Sequence, residues 1–306
     1  MLAAQSLFLA FALLLGTTSA ASCTKKIRRE WTSLSTVEKR EYIDAVQCVL
    51  AKSALTPDFE NSGVKSRYDD LLYTHIQQTF SIHYVGHFLA WHRYFVSTYE
   101  DMLRNECGFR GAQPYWDWTL DTPAAKWAAS PVFDAATGFG GNGPFVEGDA
   151  SNPFEVPGRS GGGCVPDGPF AGITDFVHLG LANGVTYNPQ CLKRDLSPYF
   201  AGRYLAVNQT QVTLAQPDFG WFNRAVEGCP SFEASGLHGG GHYGVGGRFG
   251  QMGDLYASPA DPIFFLHHAN IDRVCVGVSA PDVTVGDVMN IADLGYNYDQ
   301  VYTLSS

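Results

Sequence analysis

The stretches HYVGHFLAWHRYF at residues 83–95 and DPIFFLHHANIDR at 261–273 decide the fold. Each sets histidines in an apolar, aromatic frame with helical periodicity. In the first, Leu89, His92, Val96, Tyr99 and Leu103 share one face of a helix predicted over about 90–105, which Cys107-Gly108 stops. The second predicts a helix over 262–275. Just upstream of it, LHGGGHYG at 237–244 puts His238 and His242 four residues apart, on one helical face. A further helix over 66–78 carries His75 near its end.

The chain has nine histidines, and eight fall in two groups. His178 stands alone and reads as a structural or surface residue. His75, His83 and His92 form one candidate triad, and His238, His242 and His268 the other. Two such triads can hold two metal ions side by side. Imidazole-only sets suit copper, zinc, iron or nickel, and three ligands per ion leave an open face for a small molecule. Position 239 is Gly where a zinc metalloprotease HExxH motif needs Glu, so that hydrolytic machinery is absent. His267 and His268 are about 100° apart on a helix, so both cannot face one ion.

Outside these stretches, Ser35-Thr36-Val37-Glu38 fits a capping box that starts a helix over 35–52. Between 111 and 230, Gly, Pro, Asn and Asp punctuate short apolar pieces, which predicts long ordered loops with a few short strands or helical turns. Helical signals return at 218–228 and 234–244. The tail GYNYDQVYTL reads as a short strand. No repeat or linker divides the chain.

The composition agrees with one large domain: 306 residues, 45% hydrophobic and 16% charged. A formal charge of −10 with no basic stripe argues against a nucleic-acid partner. The short basic tract KKIRR at 25–29 reads as solvated surface. Residues 1–20 read as a secretory signal, with an apolar run from Leu7 to Leu15 and small residues after it. No segment reads as a membrane span. Seven cysteines in an exported chain imply disulfides, up to three, with one thiol left over. The sequon Asn208-Gln209-Thr210 is consistent with export.

These strings resemble the tyrosinase family, most of all the short secreted fungal tyrosinases and catechol oxidases. His75, His83 and FLAWHR leading to Glu100 match the first copper motif. PYWDW at 114–118 and HxxxH followed by DPxFxxHHxxxDR match the rest. The resemblance spans about residues 23–303. It implies a mainly α fold: a four-helix bundle around a binuclear (type 3) copper site, with long loops and a few short strands. The core domain would be 21–306, with no shielding domain after it.

The resemblance assigns one copper ion to His75, His83 and His92 and the second to His238, His242 and His268. His87 becomes a residue that stands behind the ligands or serves the fold, rather than a ligand itself. Asp272 and Asp117 become candidates for holding ligand imidazoles, or alternatively salt-bridge partners of Arg93 and Arg273. Phe264 would pack beside the metal pair. Glu227, with Glu233 behind it, would be the base that deprotonates substrate. The family Asn beside the first histidine of the second motif is replaced by Gly239. Ser81 stands where some relatives carry a thioether cysteine.

The implied activity is oxidation of small o-diphenols to o-quinones by O2, with weak or no hydroxylation of monophenols. The alternatives are a full tyrosinase, an oxygen carrier of the haemocyanin type, and a copper-poor inactive homologue. The last arises because the family's Trp-rich continuation after Arg273 is missing, which would weaken the second copper site and leave Cys275 as the odd thiol. The protein is expected to be extracellular.

Overall fold

The computed structural model describes residues 26–57, 59–60, 62–149, 155–180, 184–229, 231–276, 290–291 and 295–300. The candidate signal segment, Cys23 and the stretch 277–289 after the last helix lie outside the described residues.

Helices dominate. Strand β1 (Lys26–Arg28) precedes α1 (Thr36–Ala51), α2 (Arg67–Ile82), α3 (Phe88–Cys107) and the single turn α4 (Ala124–Trp127). Then come α5 (Pro198–Tyr204), α6 (Val207–Leu214), α7 (Phe219–Glu227), α8 (Leu237–Gly246) and α9 (Ile263–Val276), and last strand β2 (Tyr296–Tyr298). The tail pairs with the start of the chain: β1 and β2 form a two-stranded parallel sheet, with Ile27 opposite Asn297.

Local chemistry sets the helix ends. Both halves of the Ser35–Glu38 capping box form at the start of α1. Ser66 and Asp69 build a second one at α2. Gly108 ends α3 in the left-handed conformation, at φ 71°, where a side chain would be strained. The helix expected over 66–78 runs four residues further and delivers His83 as its C-cap.

Helices α2, α3, α8 and α9 make the central bundle, with α3 packed along α1 and α9, and α8 along α5. Tyr99 of α3 stacks on Phe265 of α9 at 3.5 Å between ring centroids. The 111–230 region is mostly loop with a few helical turns, as expected, and the single turn α4 is one of these; α5 and α6 are longer helices that the sequence pattern does not announce. Cys48–Cys107 ties α1 to α3, and Cys164–Cys191 closes one of the long loops. Among the described residues Cys229 and Cys275 are both free thiols, so Cys275 is not the single odd one.

The basic tract corrects an expectation. Arg28 is fully buried, not solvated. Its guanidinium pairs with Glu100 at 2.8 Å and Asp272 at 3.3 Å, and lies 3.4 Å over the Tyr296 ring. His178 has the structural role expected of it: its Nδ1 donates to the Asp69 carboxylate at 2.7 Å.

Candidate metal centre

The four bundle helices bring the six histidines together. His75 sits on α2, His83 caps it, His92 sits on α3, His238 and His242 on α8, and His268 on α9. Within each triad, one nitrogen from every ring lies within 4.8 Å of the other two. The triads face each other, with His92 stacked on His268 at 4.6 Å and His83 beside His238 at 5.8 Å.

Main-chain carbonyls orient the rings. The Nδ1 atoms of His75, His83, His92 and His242 meet the carbonyls of Tyr256 (2.6 Å), Thr79 (2.9 Å), Phe88 (2.9 Å) and Met252 (2.8 Å). A ring that donates through Nδ1 presents Nε2 as an acceptor. The Nε2 atoms of His75, His92 and His238 are buried without any hydrogen-bond partner. Orphaned buried acceptors of this kind cost free energy unless something binds them. Burial, reinforced by the neighbouring His83, drives His75 down to about 3. Burial drives His242 to about 4 and His92, His238 and His268 well below their usual range. The rings are therefore neutral at physiological pH, the form that binds metal. Six converging neutral imidazoles, with no thiolate or carboxylate among them, fit a pair of copper ions.

His267 points elsewhere. Its Nδ1 accepts from Trp118 Nε1 at 3.0 Å, and its Nε2 donates to the carbonyl of His238 at 3.1 Å. His87 is exposed at the N-cap of α3 and makes no side-chain cap bond there. Of the two roles open to Asp272 and Asp117, the ion pairs form: Asp272 pairs with Arg93 and Arg28, and Asp117 with Arg273. Asp272 also accepts from Tyr296 and Tyr298. Carbonyls one turn back, or across the bundle, do the orienting instead.

Phe264 is fully buried and stacks on His268 at 4.1 Å. Phe88, which sequence reasoning passed over, also packs between the triads, 4.6 Å from His92 and 4.7 Å from His238. Its place one turn before His92 was the available signal.

The open side is a cavity of about 330 Å³, lined by His83, His238, His242, Gly239 and Glu227 among others. Glu227 is buried at the end of α7 and accepts the main-chain N–H of Tyr84 at 2.7 Å. Burial pushes its carboxyl up to about 8. Gly239 faces the cavity with no side chain, and a Cβ there would lie 2.9 Å from Ser235 Oγ. Ser81 is exposed and bonds to the Gln78 carbonyl. Helix α9 remains helical through Val276 and its residues through Cys275 are buried, so His268 is held within a packed helix.

Known proteins resemble this chain in sequence and fold. A family model described as the common central domain of tyrosinase matches residues 65–276. Tyrosinase P of Aspergillus terreus is 36% identical over 288 residues, covering 83% of this chain and 79% of that protein. N-acetyl-6-hydroxytryptophan oxidase ivoB of Emericella nidulans is 35% identical over 273 residues, covering 80% and 72%. Among solved structures, a polyphenol oxidase variant from Thermothelomyces thermophila superposes with a TM-score of 0.72 at 42% identity, over 82% of this chain and 69% of that one. A functional unit of octopus hemocyanin shares the fold at a TM-score of 0.52 and 21% identity, over 90% and 68%. Two facing histidine triads in a matching domain make this chain a member of the tyrosinase family, whose centre is a pair of copper ions.

Proposed function

We propose that this protein is an extracellular copper-dependent phenol oxidase that converts o-diphenols to o-quinones, with little or no hydroxylation of monophenols. In this reading the core domain is 21–306 and residues 1–20 are removed on export. His75, His83 and His92 hold one copper ion, and His238, His242 and His268 hold the other. When bound, the copper pair supplies the two-electron acceptor for a diphenol and passes electrons to O2. Overall, two diphenols lose four electrons and four protons, and O2 becomes two waters.

The chain's own residues do the rest. Carbonyls of Tyr256, Thr79, Phe88 and Met252 fix the rings so that no reorganisation accompanies binding. Phe264 and Phe88 fill the space beside the triads and keep water out. Glu227 is placed to receive the phenol proton: it is buried on the cavity wall that His83 and His238 also line.

The observation that carries the reading is the pair of facing, neutral, all-imidazole triads opening on one cavity. Gly239 supports the preference for diphenols, since it offers no side-chain amide to hold a water against Glu227. Two disulfides support an oxidising destination. Oxygen uptake by the copper-loaded protein with catechol and with tyrosine tests the reading. Uptake should be fast with catechol and slow or absent with tyrosine, and faster uptake with tyrosine would overturn it. N-terminal sequencing of protein from culture medium tests export, with a start near residue 21 expected.

A further inference from the structure

The charge on the wall of the cavity sets which diphenols enter it. Around the orphaned Nε2 of His238, the lining carries the carboxylates of Glu233 and Asp254 beside the Glu227 carboxyl and, among the described residues, no Lys or Arg. The rest is neutral, including Tyr84, Tyr243 and Leu255. Glu233 is exposed, in the stretch between α7 and α8, and Asp254 is half-buried, after α8. Asp254 Oδ1 accepts the N–H groups of Tyr256 and Ala257, which fixes its carboxylate in place. The whole chain adds a formal charge of −10.

We infer that the pocket selects diphenols whose side chain ends in an ammonium group and disfavours those that end in a carboxylate. This rests on the phenol-oxidase reading above and names its substrate class. The copper ions attract the catechol oxygens of every substrate alike. The discrimination arises at the other end of the molecule, where the side chain leaves the pocket between Glu233 and Asp254. A carboxylate there meets like charge and, among the described lining residues, no cation, whereas an ammonium meets opposite charge. Such rim interactions act through water and are screened over roughly 10 Å at 0.1 M salt, so the preference belongs to low ionic strength.

The test compares kcat/KM of the copper-loaded protein at pH 6.5 for three catechols of similar size: the 2-aminoethyl, methyl and 2-carboxyethyl derivatives. The expected order is ammonium, then neutral, then carboxylate, with each step roughly three- to tenfold at low salt. The steps should shrink at 0.5 M salt. Glu233→Gln, at an exposed position, should narrow the spread, and Glu233→Lys should narrow it further or invert it. A spread that is absent, or that survives salt and both variants, would overturn the inference. Binding of the matching 1,3-diphenols, which cannot form o-quinones, separates the two readings. If none of the catechols is oxidised but the 1,3-diphenols bind with the same charge order, the oxidase reading fails and the charge selection stands. If catechols are oxidised and neither assay shows a charge order, only the charge selection fails.

Discussion

Trp118 donates its indole N–H to His267 Nδ1 at 3.0 Å, and this bond decides which of two adjacent histidines faces the metal centre. With Nδ1 occupied as an acceptor, His267 carries its proton on Nε2 and donates it to the His238 carbonyl. His267 is thus a brace between α9 and α8, and His268 is left to complete the second triad.

His267→Gln should therefore keep two copper ions per chain, and His268→Ala should keep only one. His267→Ala should lower stability by about 2–4 kcal/mol, since it strands a buried indole N–H and a carbonyl and opens a cavity. Elemental analysis of copper and chemical denaturation would measure both effects. One copper in His267→Gln would make His267 a ligand and refute the brace.

Glu227 ties pH to the stability of the copper-free protein. Its ordinary value is 4.5 and burial raises it to about 8. A carboxyl raised on folding favours the folded state while protonated. Its contribution is complete below pH 4.5 and is lost as pH rises through about 8. The copper-free protein should lose on the order of a few kcal/mol across that window, and Glu227→Gln should flatten the slope. Denaturation of both proteins between pH 4 and 9 gives the comparison. Parallel curves would mean that the Glu227 carboxyl is solvated.

Arg28 shows where the sequence was hardest to read. A basic tract of five residues reads as surface because its partners are remote: Glu100 lies on α3, Asp272 on α9 and Tyr296 on the last strand. Only the fold brings them together. The histidine triads were legible for the opposite reason, since helical spacing places His238 with His242 and the motif strings carry the rest. The imidazole partners were illegible because they are main-chain carbonyls, which any residue type supplies. Helices α5 and α6 were missed because they are short, and their apolar residues pack on α8 and α7 rather than forming a long stripe of their own. Arg28→Ala should cost about 3–5 kcal/mol, because it leaves Glu100 and Asp272 buried with less compensation. Urea unfolding measures it, and a change under 1 kcal/mol would mean the cluster relaxes around the loss.

The two free thiols among the described residues should differ in reactivity. Cys229 is exposed and lines the cavity, whereas Cys275 is buried and its thiol is pushed by that burial up to about 11. Only thiolate attacks an alkylating reagent. Maleimide treatment of the native protein at pH 7.5, followed by peptide mapping, should label Cys229 and spare Cys275 until the chain is unfolded. Because Cys229 lies on the cavity wall, a bulky maleimide there should also slow catechol oxidation severalfold. Early labelling of Cys275 would mean that α9 opens readily beyond Arg273.

The three consecutive glycines of α8, Gly239, Gly240 and Gly241, weaken the helix by up to ~1 kcal/mol each relative to Ala, and close packing explains why two of them are needed. A Cβ at Gly241 would lie 2.2 Å from the His267 ring, and one at Gly240 would lie 2.8 Å from Tyr204 and 2.9 Å from Leu205. The His267 ring cannot retreat without releasing both Trp118 and the His238 carbonyl. At Gly239 the nearest atom is Ser235 Oγ, the end of a side chain that can rotate. Gly241→Ala should therefore destabilise the protein by about 1–3 kcal/mol despite its better helix propensity, and should reduce copper below two per chain. Gly239→Ala should fold, load copper and melt within a few degrees of the unmodified protein. Thermal melts with copper analysis on the two variants make the comparison. If Gly241→Ala behaves like Gly239→Ala, then α8 can shift away from α9, and the contact between them does not position His238 and His242.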